Sequence, residues 1–437
     1  MKKLVSLSLL LGLLLTLCGC ALSAPADLYS LPEPSEEYLQ LQELIDQEIA
    51  AGNEYAAPTE GNYKQSVQLV DVDGDGLEEA LAFFRGSDQV PRICIYRNDG
   101  KDYALALTIT GEGGAVEQVD YADLDAGPGM ELIVAWQLTG DVRLLRVYSL
   151  VDYSGAILLA EDNREFTLAD LDGDGRQEIL ALRYDESNNG ILSRHVFGAG
   201  GDVDTASASL SRGLLSPSRL RTTTLSDGAP ALYVEGTLTD STTTVTDIFA
   251  LEDGQFRNVT YRAYSGISAA RREYPVYAAD VDGDKLLEVP AAVPLAGEDT
   301  EDGEYWRFDW YKYDASGARE LVCSTYHCYR DGWYLILPES LRSGLQVRSE
   351  DAVPGERVIV LSAPDVAGEL QDAVYLYTLT GENRQERAKL EGREILRETD
   401  TTIYVLHIPE GSPVTAAEVR EQFRLIYSEW NIGVVGG

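Results

Sequence analysis

Residues 71–79 read DVDGDGLEE, residues 170–178 read DLDGDGRQE, and residues 280–288 read DVDGDKLLE. A fainter copy, DLDAGPGME, occupies residues 123–131. The acidic nonapeptide therefore starts at Asp71, Asp123, Asp170 and Asp280. The first two steps are 52 and 47 residues, and the third, at 110, is about twice as long. A fixed period of about 50 residues marks a repeat architecture, and the doubled step predicts a copy near residue 225 that has lost its acids. There the chain reads TTTLSDGAPALYVEG. Ser226, Asp227 and Gly228 precede an apolar run, but the carboxylates are gone.

Each unit has the same plan. A short strand leads into the acidic loop, as in SVQLV before Asp71 and REFTLA before Asp170. A second strand leaves at once: EALAFF, ELIVAW, EILALR or EVPAAV. These runs are apolar on successive residues, which suits a strand covered on both faces. A third strand carries aromatics (RICIYRNDG, LLRVYSLVDYSG, FDWYKYDASG) and ends in a turn, after which a fourth follows. Four antiparallel strands in about 50 residues is the content of a propeller blade. The expected fold class is mainly β: a β-propeller over residues 60–325, preceded by an N-terminal helix and linker over 35–59. Beyond residue 330 the acidic motif stops. Strand-like runs and a capped apolar stripe over 415–430 (Thr415 and Glu418, then Val419, Phe423, Ile426, Tyr427 and Trp430) predict a small C-terminal α+β domain over 326–437, although some of its strands could instead complete the propeller.

Within the first loop, carboxylates fall at positions one, three, five and nine: Asp71, Asp73, Asp75 and Glu79. The third copy has Asp170, Asp172, Asp174 and Glu178, and the last has Asp280, Asp282, Asp284 and Glu288. The second keeps Asp123, Asp125 and Glu131 but has Gly127 at position five. Hard oxygen donors at alternate positions of a tight loop are how a chain wraps a calcium ion, and the position-seven carbonyl (Leu77, Gly129, Arg176, Leu286) would add another. An EF-hand needs a glutamate at position twelve, where this chain has Ala82, Val134, Ala181 and Ala291. With the acid at position nine and a strand on each side, the loops resemble the FG-GAP, VCBS-type calcium loops of integrin-α-like β-propellers, over roughly residues 60–325. The resemblance implies Ca2+ at these residues, holding hairpins in shape. Two departures stand out: Gly127 removes a ligand, and Lys285 replaces the position-six glycine.

The N-terminus has a second resemblance. Lys2 and Lys3 precede an apolar run from Leu4 to Leu17, too short to span a bilayer comfortably, and then Leu17-Cys18-Gly19-Cys20. This resembles the lipobox of bacterial lipoproteins. It implies a signal peptide over 1–19, lipidation at Cys20, a tether over 20–34 and an extracytoplasmic protein held to the cell membrane by its acyl chains. Of the later cysteines, Cys94, Cys323 and Cys328 are an odd number, so they form no complete disulfide framework. The balance of 35 Lys and Arg against 73 Asp and Glu, net −38, argues against nucleic acid as a partner.

Catalytic signatures are missing. His195, His327 and His407 are the three histidines, far apart, and no nucleophile elbow, zinc helix or phosphate-binding glycine loop occurs. Carboxylate pairs for glycoside hydrolysis have too many candidates among 73 acids. The aromatic run at Tyr305, Trp306, Phe308, Trp310, Tyr311 and Tyr313 reads as a strand packed between blades before it reads as a sugar platform. The expectation is therefore a non-catalytic, calcium-stabilised surface lipoprotein that binds an extracellular protein or glycan. A carbohydrate-active enzyme or its accessory module is the alternative.

Overall fold

The computed structural model describes residues 36–426, apart from 139, 141, 241, 296–304 and 366. The segments expected to be a signal peptide and a tether, with Cys20, lie outside the described residues. Helix α1 (Glu36–Ala50) comes first and buries Leu41 and Ile45 against Ala80, Phe84 and Tyr96. Six antiparallel sheets of four or five strands follow. Sheet one holds β1 (Glu54–Tyr55), β2 (Val67–Val70), β3 (Glu79–Arg85), β4 (Pro91–Asn98) and β5 (Tyr103–Thr110). Sheet two holds β6 (Ala115–Ala122), β7 (Glu131–Gln137), β8 (Arg143–Ser149) and β9 (Ala156–Asn163). Sheet three holds β10 (Glu165–Ala169), β11 (Glu178–Tyr184), β12 (Gly190–Phe197) and β13 (Val203–Ser209).

Sheet four is the repeat whose acids are missing. Its β14 (Arg219–Thr224) and β15 (Pro230–Thr237) are joined by the short turn at Ser226–Gly228, and β16 (Thr244–Glu252) and β17 (Gln255–Asn258) complete the four. Short strands β18 (Tyr261–Arg262), β19 (Ile267–Ser268) and β20 (Arg271–Arg272) lead on to sheet five. That sheet has β21 (Val289–Pro294), β22 (Trp306–Tyr313), β23 (Arg319–Cys328) and β24 (Trp333–Ile336). Sheet six holds β25 (Gln346–Val353), β26 (Glu356–Pro364), β27 (Leu370–Thr380), β28 (Glu394–Glu398) and β29 (Thr402–His407). Strand β30 (Phe423–Leu425) returns to the edge of sheet five, beside β24.

The continuous apolar runs sit where both faces are covered. All six residues from Glu79 to Phe84 are buried, as are those from Glu131 to Trp136. One apolar cluster joins sheets one and two through Phe83, Ile95, Val134 and Trp136. Further clusters join sheet two to three (Ile133, Val147, Ile179, Phe197), three to four (Leu180, Leu192, Leu232, Phe249) and four to five (Tyr233, Ile248, Val289, Tyr313). Trp333, Leu335, Ile359 and Leu376 join sheet five to six. The molecule is thus mainly β, a series of antiparallel sheets stacked face to face.

One element differs from expectation. The helix predicted over 415–430 runs only over Ala416–Gln422, opened by the expected capping box of Thr415 and Glu418. Phe423 is already extended (φ −79, ψ 130) and pairs with Leu335. Packing overrides the helical stripe, because the Phe423 ring lies between Trp333 and Tyr404, with ring centres 5.6 Å from each. Residues 427–430 of the stripe lie outside the described residues.

Candidate functional site

All four acidic loops sit between the first and second strands of their sheets and share one hydrogen-bond plan. The position-nine glutamate is the first buried residue of the outgoing strand or the one just ahead of it. Glu79 and Glu288 are fully buried, and Glu131 and Glu178 nearly so. In each, one carboxylate oxygen accepts from the position-two amide: Val72, Leu124, Leu171 or Val281. The position-one aspartate accepts from the position-four amide, at Gly74, Ala126, Gly173 and Gly283. In three loops position six has a left-handed backbone: Gly76 and Gly175 have φ of 90° and 91°, and Lys285 adopts 75° with a side chain in place; the second loop has Pro128 there and puts the left-handed residue at Gly129, φ 93°.

Carboxylate oxygens from positions one, three and nine come within 4.8 Å of one another in each loop: Asp71, Asp73 and Glu79; Asp123, Asp125 and Glu131; Asp170, Asp172 and Glu178; Asp280, Asp282 and Glu288. These are candidate metal sites with hard oxygen donors, the set Ca2+ prefers. Position five stands outside the clusters. Asp75, Asp174 and Asp284 each bind the amide two residues on. Gly127 in the second loop therefore replaces a residue that the other loops do not place in the cluster. Burial raises the pKa of all four position-nine glutamates, and Glu288 reaches about 7.

The loops differ in what faces them. Arg194 of β12 donates to Asp172 (2.6 Å) and to Glu178 (2.8 Å from Nε). Lys312 of β22 reaches Asp282 (2.8 Å), Asp284 (2.5 Å) and Glu288 (3.4 Å). At Asp73 the neighbour is neutral: the Tyr153 hydroxyl donates at 3.0 Å. Among the described residues, no Lys or Arg forms an ion pair with Asp71, Asp73, Glu79, Asp123, Asp125 or Glu131.

A second site was not visible in any motif. A cavity of about 430 Å³ is lined by the chain ahead of β2 (Glu60, Gly61), by Glu117 and Gln118 of β6, by Arg143 at the start of β8, by Asn163 and Glu165 where β9 passes into β10, and by Ser216 and Pro217 ahead of β14. Four sheets thus contribute to one polar pocket. Glu117 reaches it because β6 carries a bulge between Val116 and Gln118, which brings Glu117 and Gln118 into the same lining. Arg143 forks onto both Glu117 oxygens through Nε and Nη2 and holds the Arg164 carbonyl through Nη1. Glu165 is exposed to water at the pocket, yet protein packed around its carboxyl thins its hydration. That desolvation raises its pKa, against the pull of Arg143 and Arg164. Asn163 is 4% exposed, and neither its amide nitrogen nor its carbonyl oxygen has a partner. Gln118 donates to Asp120 at 2.7 Å, and burial raises the Asp120 pKa too.

The remaining sequence candidates are structural. His195 is buried between Thr205 and Glu161, and His327 is buried among aromatic rings. Phe308 and Trp310 are buried within β22. Cys94, Cys323 and Cys328 are free buried thiols.

No family model matches the chain, and no curated protein matches it. Among solved structures, it is similar to an alpha-L-arabinofuranosidase from Fusarium graminearum in complex with an iminosugar inhibitor, at 8% identity and a TM-score of 0.28, over 82% of this chain and 97% of that one. It is also similar to a protein described as an exo-beta-1,3-galactanase, from Bifidobacterium bifidum, at 12% identity and a TM-score of 0.17, over 63% of this chain and 93% of that one. The expectation of a non-catalytic binding or scaffold module, with no enzyme activity, is corrected at this point. Both structures are titled as glycoside-cleaving enzymes, the class held second on the sequence. At these TM-scores neither a fold nor a substrate passes from them to this chain, and the physical argument for chemistry rests on the pocket. The motif search missed it because its residues come from separate repeats and share no local pattern.

Proposed function

We propose that the protein is a glycan-cleaving enzyme, with its reaction centre in the pocket between Glu117 and Glu165. The carrying observation is that pocket's pair of carboxylates in unlike environments. Glycoside hydrolysis needs one carboxylic acid to protonate the leaving oxygen and one carboxylate to act as base or nucleophile. Glu165, whose desolvation favours the protonated form, is assigned the acid role. Glu117, the ion-pair partner of Arg143, is assigned the base or nucleophile role. Asn163 offers a free donor and a free acceptor side by side, which suits sugar hydroxyls, each both donor and acceptor.

The sheets would serve as propeller blades around this pocket. The acidic loops, with oxygen donors at positions one, three and nine, would be calcium-braced hairpins at the strand turns. The lipobox reading places the enzyme outside the cytoplasm, on a lipid anchor at Cys20, with an extracellular glycan as its partner.

The test is a panel of aryl glycosides and oligosaccharides incubated with the purified protein. Turnover is expected, and Glu165→Gln and Glu117→Gln should each lower kcat about 10²–10⁴-fold with an unchanged melting curve. A folded wild-type protein that cleaves nothing on the panel would sink the proposal. EDTA should lower Tm and added calcium should restore it, and identical melts with and without EDTA would remove the metal from it.

A further inference from the structure

The four acidic loops share the amide bonds to their position-one and position-nine acids, and the loop at 123 lacks only the position-six bond, where Pro128 has no N–H, and the position-five carboxylate, yet their charge is balanced in two different ways. We infer that the loops at 170 and 280 are closed by cations of the chain itself, Arg194 and Lys312, in place of a metal ion, and that calcium is confined to the loops at 71 and 123. The second half rests on the calcium reading above; the first does not.

Lys312 is placed by register. Val289 pairs with Tyr311, so the next position of β22 lies across from Glu288. Its ammonium lies 2.8 Å from Asp282, 2.5 Å from Asp284 and 3.4 Å from Glu288, and its side chain is only 15% exposed. It therefore touches two of the three residues that would ligate a metal. Arg194 does the same in sheet three, bridging Asp172 and Glu178 with a side chain 11% exposed. A divalent ion among these oxygens would sit within a few ångströms of a fixed positive charge, and the Asp172, Glu178 and Asp282 oxygens facing it already accept N–H bonds, while Glu288 Oε1 lies 3.4 Å from the Lys312 ammonium with no hydrogen-bond partner.

Among the described residues, sheets one and two have no such ion-paired cation in their loops, and Arg176, whose charge is felt at Asp123, is itself paired with Asp174. Arg194 pairs with Leu180, two residues after Glu178. The corresponding partners are Ile95, opposite Leu81, and Val147, opposite Ile133. Neither can carry charge. Opposite Glu79, by continuation of the register, stands Arg97, an exposed residue whose charge acts on Asp99. The Asp73 carboxylate receives only neutral donors, the Asp75 amide (3.2 Å) and the Tyr153 hydroxyl (3.0 Å). Three carboxylates converge there with no cation of the chain among them, and a cation from solution would offset their repulsion.

The test counts calcium by isothermal titration and reads Tm in EDTA and in excess calcium. Wild type should bind two ions. Asp73→Asn and Asp125→Asn should each remove one, whereas Asp172→Asn and Asp282→Asn should remove none. Lys312→Met should create a new demand, with a lower Tm in EDTA that calcium restores and one additional bound ion. Arg194→Met should behave alike, and serves if Lys312→Met does not fold. A folded Asp282→Asn or Asp172→Asn that loses an ion overturns the inference. So does a folded Lys312→Met or Arg194→Met whose calcium count and calcium response match wild type. If wild type binds no calcium at all, the calcium reading fails, and the gain in Lys312→Met still decides the role of the resident cation.

Discussion

Asp247 is fully buried and forms no ion pair among the described residues. It accepts from the Ser211 amide (2.7 Å) and the Ser211 hydroxyl (2.8 Å), and burial lifts its pKa from 3.8 to about 6. A carboxyl raised in the folded state binds its proton more tightly there than in the unfolded chain. Its contribution is therefore fully present below pH 3.8 and is lost as pH rises through 6. Wild type should lose on the order of 2–3 kcal/mol from this group across that window, and Asp247→Asn should flatten that part of a denaturant-melt series. Glu165 follows the same sign in a kinetic experiment. As the proposed acid it works protonated, so kcat should fall as pH rises past its lifted pKa. Removing that alkaline limb with Glu165→Gln while the remaining activity persists would tie the limb to this residue; a limb that survives would assign it elsewhere.

At the scale of elements, the hairpin loops are more than caps on strands. The second loop leans on the first: the Met130 amide donates to the Val72 carbonyl at 2.9 Å. Gly129, with φ of 93°, passes so close that a Cβ would stand 2.3 Å from the same carbonyl oxygen. Gly129→Ala should therefore cost more than the ~1 kcal/mol of an ordinary left-handed position, because strain and collision add. A urea midpoint equal to wild type would show that the two loops do not depend on each other. Strand β30 makes a similar point through side-chain packing. Phe423→Ala should cost about 3–5 kcal/mol, since the ring is 1% exposed between two aromatic neighbours. These two sites also mark where sequence and structure part. The place of each loop and the convergence of its positions one, three and nine were legible in the spacing, but position five was not, because Asp75, Asp174 and Asp284 turn to the amide two residues on. The end of the last helix was not, because a helical stripe and an edge strand can use the same Phe423, and the choice is made by Trp333, some ninety residues earlier. The pocket was hidden for the same reason: a bulge at Glu117 and an orphaned Asn163 lie at the two ends of one repeat, Glu165 opens the next, and the three share no period.

Over the whole molecule, charge decides which glycans can arrive. The chain carries −38, and Glu60, Glu117 and Glu165 add three carboxylates at the pocket itself, against Arg143 and Arg164. A field of one sign lowers the local concentration of ligands of that sign and slows their encounter. A polyuronate or sulfated chain would have to enter against this field, and Arg143 is already engaged by Glu117. A neutral saccharide meets no such barrier, and its hydroxyls match the unpartnered Asn163. The preferred substrates should therefore be uncharged. Their kcat/KM should change little between 20 mM and 500 mM salt, on the order of twofold or less, because no long-range term is being screened. An anionic glycan should show slow cleavage that rises severalfold with salt over the same range. Fast cleavage of an acidic polysaccharide at low salt, falling as salt is added, would mean that the local guanidinium charges dominate the pocket, and the assignment of Glu117 as the ionised partner of Arg143 would have to be given up.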